Sequence, residues 1–277
     1  MTTNVAAIRP HAVATPSKQY LAFLSRNRRD KRLVITVQVV ILALFLGLWE
    51  VLPRAHVINP MLTSYPSAIW EALVELLVNG SLLHHTWSTV FATIIGFTMS
   101  MVIGVVVAAA LWWSDFAYKV LDPFLVVANA LPKIALVPIF YIWLGSDYSI
   151  YGIAIAIAVF VAIMIIYAGF RGIDANKIKL ATTFGATRWQ VLCKVVLPGS
   201  VPTLIAALKM NIGLALVGVV VGEFQSSNAG LGFLIINGSQ IFKMNIVMAA
   251  VSMLAVISCV MYAAIYYLEA TVSRRYA

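Results

Sequence analysis

Residues 149–170 read SIYGIAIAIAVFVAIMIIYAGF and contain no charged side chain. As a helix rising 1.5 Å per residue, this stretch spans roughly 33 Å, enough to cross a hydrocarbon core about 30 Å thick. The whole chain agrees, because 62% of its 277 residues are hydrophobic and 10% are charged, whereas about a quarter of the residues in a soluble domain are charged. The sequence therefore predicts a polytopic α-helical membrane protein and excludes a soluble domain, a disordered chain and a disulfide-rich scaffold.

Further apolar segments lie on both sides of this one, at about 33–52, 86–113, 123–145, 201–222 and 246–268. Together with 149–170 they predict six membrane spans, and the fold class is all-α. Between the first two spans, Pro66 and Asn79-Gly80 enclose a segment that predicts a short amphipathic helix at the membrane surface. Its apolar face consists of Ile69, Leu73, Leu76 and Leu77.

The basic residues are unevenly distributed along the chain. With the N-terminus inside, fifteen of the nineteen Lys and Arg residues fall on inner segments, and only Arg54 and Lys243 fall outside. Since inner loops carry an excess of Lys and Arg, both termini are predicted to be cytoplasmic, and the net charge of +9 needs no nucleic-acid partner. The predicted parts are a basic N-terminal tail (1–32), a first anchor with the amphipathic helix (33–85), a main membrane domain (86–270) and a C-terminal tail (271–277).

The longest polar stretch between spans, residues 171–200, predicts two short helices. Asp174 is placed to cap the first helix, which runs to about Thr183, and Gly185 supplies a left-handed stop. Thr187 and Gln190 form a capping box that opens the second helix.

The second helix of this loop is predicted to be amphipathic and to end at Pro198. Its apolar face is formed by Trp189, Leu192, Cys193 and Val196. From spacing alone, the loop is either a docking platform or a solvated connector lying on the lipid headgroups.

Residues in this loop resemble a known motif. Ala181, Gly185, Val195, Leu197 and Pro198 match the EAA pattern of ABC importer permeases, which is Glu-Ala-Ala, three residues, Gly, nine residues and Ile-x-Leu-Pro. The glutamate position is Lys179 and the first alanine is Leu180, so the acidic contact of the family is not expected here. Phrases similar to the sulfonate, taurine, nitrate and thiamine-precursor branch occur in the same order over about residues 60–270: Tyr65-Pro66-Ser67, Leu121-Asp122-Pro123, residues 131–138 (LPKIALVP), Trp143-Leu144-Gly145, residues 184–187 (FGAT), Glu223 and Gly230-Leu231-Gly232.

The resemblance implies the membrane subunit of a type I ABC importer in a bacterial inner membrane, with residues 86–270 as its transmembrane domain. Such a chain is not an enzyme, and it has no GxxxxGK[ST] loop, so ATP and Mg²⁺ are expected on a separate cytoplasmic ATPase and no cofactor is expected here. A permease homodimer is the simplest assembly, because one six-span chain presents one loop to a pair of ATPases. An external substrate-binding protein would deliver the solute. The expected coupling residues are Ala181, Phe184, Gly185, Ala186, Thr187, Arg188, Trp189, Leu192, Leu197 and Pro198.

Polar residues within the spans are candidates for the translocation path, because an ionisable group at membrane depth is costly. Lys133 lies near the middle of the predicted third span, with Asn129 one turn earlier. It either attracts an anionic solute or is satisfied by neighbouring carbonyls. Asn211 and Glu223 complete the predicted path, and Lys209 is expected to reach inner phosphates.

Gly230, Leu231 and Gly232 predict a tight turn after the fifth span. The resemblance makes this turn part of an outer gate, and a flexible loop is the alternative. His84 and His85 are interpreted as an interfacial pair, since two adjacent histidines without further ligands form no metal site. The two cysteines, Cys193 and Cys259, lie far apart in unlike surroundings and indicate neither a disulfide nor a metal site.

An ion-coupled secondary transporter is the main alternative function. Such transporters usually show two related halves with broken helices and buried acids, whereas the acids here lie near span ends or in loops. An intramembrane enzyme is less consistent with the sequence, because no span contains HExxH, paired aspartates or GxSxG.

Overall fold

The computed structural model describes residues 18–226 and 228–276, and this part of the chain contains helices and no strand. The predicted all-α class is confirmed. The α-helices are α1 (Lys18–Arg54), α2 (Pro60–Thr63), α3 (Pro66–Val78), α4 (Ser81–Trp113), α5 (Asp115–Ala130), α6 (Val137–Arg171), α7 (Ala175–Thr183), α8 (Arg188–Val191), α9 (Leu197–Gly199), α10 (Val201–Ser226), α11 (Leu231–Gln240) and α12 (Met244–Tyr276). A 3₁₀ turn (Lys133–Leu136) precedes α6, and a π-helical turn (Leu192–Val196) lies between α8 and α9.

The chain divides into two units, one ending at Val57 and the other beginning at Ile58. In the first unit, α1 begins at Lys18, so residues 18–32 of the predicted tail are helical and continuous with the first span. Residues 1–17 lie outside the described residues. At the other end of the chain, α12 continues to Tyr276, so the predicted C-terminal tail prolongs the last helix.

Within the described residues, five helices are long and apolar enough to cross a membrane. They are Asp30–Arg54, Ser81–Trp113, Lys133–Arg171, Val201–Gln225 and Met244–Thr271. Four of the six predicted spans each correspond to one of these helices. The predicted fourth span and the second half of the predicted third span both fall within Lys133–Arg171. The count of six spans therefore stays a prediction.

The long helix α6 changes direction at Gly145, which has φ 75° and ψ 177°. Phe140 and Leu144 lie against Gly152. A straight helix excludes this contact, because residues twelve apart are about 18 Å apart along the axis. The chain thus reverses at Gly145, and a glycine suits this position because other residues rarely adopt a positive φ.

The segment from α5 to the start of α6 runs antiparallel to the second half of α6. Three contacts show this, because residues later in the first segment contact residues earlier in α6. They are Asp115 with Arg171 (2.8 Å ion pair), Tyr118 with Tyr167 (ring centres 4.2 Å apart) and Lys133 with Phe160 (Nζ 5.6 Å from the ring centre). The predicted third span is therefore not one helix. α5 ends at Ala130 because Leu131 is extended (ψ 136°) before Pro132.

The core of the second unit is formed by α4, α6 and α10, which pack closely through small residues. Ala154 on α6 lies against Gly96 of α4 and Gly218 of α10. Small side chains of this kind allow helix backbones to approach closely in membranes. Ala215 is also buried there, whereas Gly213 has nothing within 4 Å of its absent side chain.

The predicted amphipathic helix is confirmed as α3, which packs against α4 and α12. Ile69 is buried, and Leu73 and Leu76 pack on an apolar cluster that contains Leu231. Leu77 is half exposed, and the predicted position of this helix at the membrane surface stays a prediction.

Candidate coupling surface and outer loop

The start of the loop between α6 and α10 forms as the sequence predicts. Asp174 caps α7 by accepting a 2.8 Å hydrogen bond from the amide of Asn176. Gly185 has φ 81°, and the Thr187–Gln190 capping box opens α8. The chain direction between α7 and α8 is therefore set by one left-handed residue and one cap.

Pro198 does not end the second helix of this loop, contrary to the prediction. The Leu197 amide donates to the Leu192 carbonyl across a π-turn. The wider turn relieves the clash that a proline ring makes with the carbonyl four residues earlier. The helix thus continues through α9 towards α10.

The predicted apolar face of this helix is only partly right. Val191, Leu192 and Val196 are buried in the chain's own core, whereas Trp189 is 64% exposed. The Trp189 ring lies beside Trp113 at the end of α4, with centres 6.5 Å apart. Leu192 is 3% exposed, so it packs inside the chain and the expectation that it contacts a partner is wrong.

Leu180, Phe184, Gly185, Thr187, Arg188 and Trp189 are exposed and form what we call the coupling surface. Phe184 is 82% exposed and Leu180 is 59% exposed. Large apolar side chains displayed on a polar loop mark an interaction site. Beneath this surface, Ala181, Ala186 and Leu197 pack on the core, and Pro198 is half-buried.

The loop is tied to the ends of the membrane helices. The Arg188 guanidinium donates a 2.9 Å hydrogen bond to the Trp113 carbonyl at the end of α4. Arg171 at the end of α6 pairs with Asp115 at the start of α5. The loop is therefore hydrogen-bonded directly to the end of α4.

At the opposite end of the spans, Glu223 is buried and binds the turn before α11. Its side chain is 2% exposed. One carboxylate oxygen accepts a 2.8 Å hydrogen bond from the Gly232 amide, and the other accepts one of 2.8 Å from the Thr89 hydroxyl. We call Gly230–Gly232 the outer loop. Its tight turn is confirmed, with φ 117° at Gly230.

Two residues of α4 complete this network. Thr89 Oγ1 accepts a 2.8 Å hydrogen bond from the Leu231 amide, and His85 Nδ1 accepts one of 3.0 Å from the Gly230 amide. His85 is buried within the protein, and the interpretation of the two histidines as an interfacial pair stays a prediction. The outer loop is therefore bound through three consecutive amides.

The bonds of Thr89 and His85 to the outer loop were not predicted, although the sequence contains a signal for these two residues. His85, Thr89 and Thr93 recur every four residues and continue into Gly96 and Ser100, all buried in α4. A stripe of small and polar residues at this spacing indicates the packed face of a membrane helix.

The predicted path residues occupy unlike places. The Lys133 ammonium donates a 2.7 Å hydrogen bond to the Asn129 carbonyl at the end of α5. This contact agrees with the second of the two predicted roles, in which neighbouring carbonyls bind the ammonium. Asn211 is 1% exposed, and its amide donates to Ser100 across the α4–α10 interface. This contact makes Asn211 a helix-packing residue.

Lys209 does not extend towards phosphates, contrary to expectation. Its ammonium pairs with Glu269 of α12 at 2.5 Å, and it lies 5.7 Å from the centre of the Tyr266 ring. A charge within a span is stabilised when it is paired, and Glu269 provides the pair from a distant part of the sequence.

Residues 100–274 match the family described as "Binding-protein-dependent transport system inner membrane component". The chain belongs to this family. It is the membrane-spanning permease subunit of an ABC importer, and it transports rather than catalyses. The family works with an ATP-binding subunit and a substrate-binding protein. This membership decides against the ion-coupled secondary transporter.

Relatives of this permease are known from several organisms. It is 27% identical over 216 residues to the putative aliphatic sulfonates transport permease protein SsuC of Bacillus subtilis (strain 168), covering 78% of each chain. It is 24% identical over 230 residues to the taurine transport system permease protein TauC of Escherichia coli (strain K12), covering 81% of this chain and 84% of that one.

Among solved structures, the permease resembles a chain of the MetNI methionine ABC transporter in an inward-facing conformation. The TM-score is 0.62 at 18% identity, and the match covers 71% of this chain and 96% of that chain. At this identity the likeness establishes the fold.

Proposed function

We propose that two copies of this permease form the translocation path for a small solute of the sulfonate, taurine, nitrate or heterocyclic-precursor type. The relatives named above for aliphatic sulfonates and taurine support the sulfonate and taurine part of this range. An external substrate-binding protein delivers the solute. Each copy presents its coupling surface to one of two cytoplasmic ATPase subunits, which bind ATP and Mg²⁺.

The observation that carries the coupling role is the contrast between the two faces of the loop. Val191, Leu192 and Val196 anchor it in the core, while Phe184 and Trp189 project from it. Aromatic side chains on a rigid support lose little conformational freedom on binding and are frequent anchors of interfaces. The loop is thus built to present these rings to a partner.

The proposed coupling role is tested with Phe184→Ala and Trp189→Ala. Each change leaves the buried face intact and removes one projecting ring, so the permease should insert normally but co-purify with less ATPase. Hydrolysis stimulated by loaded binding protein should fall with it. Trp87→Ala is the matched control, because Trp87 is 67% exposed on α4, away from the loop. Normal ATPase binding by both loop variants would contradict the proposal.

Both termini are proposed to lie in the cytoplasm, which places the coupling surface inside and the outer loop outside. The charge distribution supports this orientation. In a background with Cys193 and Cys259 replaced by Ser, an impermeant thiol reagent applied to intact cells should label Gly80→Cys and spare Thr187→Cys. The reverse pattern would invert the topology.

A further inference from the structure

A cavity of about 640 Å³ lies between the loop and the end of α4. Its walls include Trp112 and Trp113 from α4, Arg171 from α6 and Arg188 from α8. The two tryptophans end the membrane-crossing segment Ser81–Trp113. Tryptophan at a span end is typical of the headgroup level of a bilayer, so this cavity lies where lipid headgroups lie.

The charge of this cavity suits an oxyanion. Arg171 and Arg188 line it from different helices, and Asp115 opposes them with a single negative charge. One nitrogen of Arg171 binds Asp115, and one nitrogen of Arg188 binds the Trp113 carbonyl. A guanidinium carries five N–H donors, so donors remain on both arginines, and a planar guanidinium matches a phosphate well.

A second cavity, of about 550 Å³, lies on the other side of Arg171. Arg171 lines both cavities. The second cavity has an apolar wall that contains Leu125, Ile163 and Met164, and Tyr118, Asp122 and Tyr167 also line it. Two arginines in the first cavity and an apolar wall in the second, with Arg171 shared between them, fit a molecule with an anionic head and a hydrocarbon chain.

We propose that an anionic phospholipid binds across Arg171, with its phosphate between Arg171 and Arg188 and an acyl chain in the second cavity. The site joins α4, α5 and α6 to the loop, so a bound lipid would brace the loop against the spans. A free phosphate ester offers the same oxyanion without the acyl chain, and the apolar wall of the second cavity favours the lipid as the source.

Binding is measured by native mass spectrometry of the full-length permease in detergent, with added phosphatidylglycerol or phosphatidylcholine. The permease should retain phosphatidylglycerol preferentially. Arg171→Gln and Arg188→Gln should each weaken its binding by about fivefold, the value of one basic residue near an anionic lipid. Equal retention of the two lipids would overturn the proposal.

The variant Asp115→Asn tests whether Arg171 binds lipid or only forms an ion pair that stabilises the fold. Like Arg171→Gln, it removes one charge of the 2.8 Å Arg171–Asp115 ion pair, but the charge that it removes is the negative one. Phosphatidylglycerol binding should therefore strengthen in Asp115→Asn and weaken in Arg171→Gln. If the two variants changed binding in the same direction, the ion pair would serve only the fold and the lipid site would be refuted.

The source of the oxyanion is tested with glycerol 3-phosphate and with Ala168→Leu, which narrows the second cavity. Ala168→Leu should weaken phosphatidylglycerol binding, and glycerol 3-phosphate should compete poorly with the lipid in the unmodified permease. Strong binding of glycerol 3-phosphate, unaffected by Ala168→Leu, would overturn the lipid assignment and identify a soluble phosphate ester as the ligand.

Discussion

Thr89 on α4 and Glu223 on α10 are joined by a 2.8 Å hydrogen bond between the hydroxyl and the carboxylate. The same hydroxyl oxygen accepts from the Leu231 amide, and the other carboxylate oxygen accepts from the Gly232 amide. Two spans and the outer loop therefore meet at one buried pair. Any movement of α11 away from α4 and α10 would have to break these bonds.

Thr89→Val tests this pair, because valine keeps the shape of threonine and removes its hydroxyl. Glu223 then loses one donor and the Leu231 amide loses its acceptor in a buried site. We expect the free energy of unfolding of the purified permease to fall by about 1 to 3 kcal/mol, together with slower uptake. Thr271→Val is the control, since the Thr271 hydroxyl donates to the Tyr267 carbonyl on an exposed surface. Equal stability of the two variants would refute the role of the pair.

Gly230→Ala should be the more disruptive change at the outer loop. An added Cβ would clash with the Glu223 carboxylate, and φ at this position is +117°. The carboxylate must then move, which breaks its bond to the Gly232 amide. We expect a lower melting temperature and a loss of uptake. Gly213→Ala on α10 is the control, because nothing lies within 4 Å of that position, and it should be tolerated.

Lys133→Met tests whether Lys133 caps a helix or binds the solute. The ammonium bonds the Asn129 carbonyl in the last turn of α5, where cations stabilise a helix end. Methionine keeps an unbranched apolar chain without the charge, so stability should fall by about 1.5 kcal/mol. The solute concentration at half-maximal uptake should not change, and Lys133→Arg should restore stability. A raised half-saturating concentration at normal stability would instead place Lys133 in the path.

Local signals in the sequence predicted local structure well. The Asp174 cap, the Gly185 stop and the Thr187–Gln190 capping box each depend on residues within one or two turns of each other. The spans were predictable because hydrocarbon thickness fixes their length. The reversal at Gly145 was not, because an apolar run of constant composition does not reveal where the chain turns.

Long-range partners account for the remaining differences. The Lys209–Glu269 pair and the Glu223–Thr89 bond join residues 60 and 134 positions apart. No periodic pattern encodes such separations. The position of Leu192 was predicted wrongly for a related reason. Helical spacing places Leu192 on the same face as Trp189. In the structure, Leu192 is buried at the start of the π-turn, and Trp189 is exposed beside Trp113.

The coupling loop offers a prediction in which strain and partner contact are separated. Gly185 has φ +81° with nothing within 4 Å of its absent side chain, and Gly80, at the start of α4, has φ +70° in equally open space. Gly185→Val and Gly80→Val should therefore carry a similar conformational cost, roughly 1 kcal/mol or more, without any steric clash.

The two variants should differ in coupling, because only Gly185 sets the direction of the exposed Phe184 and Trp189 relative to each other. Gly185→Val should insert into the membrane as the unmodified permease does, yet lose ATPase co-purification or the hydrolysis stimulated by loaded binding protein. Gly80→Val introduces similar backbone strain at the start of α4, whereas the loop contacts the end of α4. It should therefore retain ATPase co-purification and stimulated hydrolysis. If both variants lost coupling equally, general strain would explain the loss. If Gly185→Val kept normal ATPase binding, stimulated hydrolysis and uptake, residues 174–197 would be a connector and the coupling surface would have to be sought elsewhere.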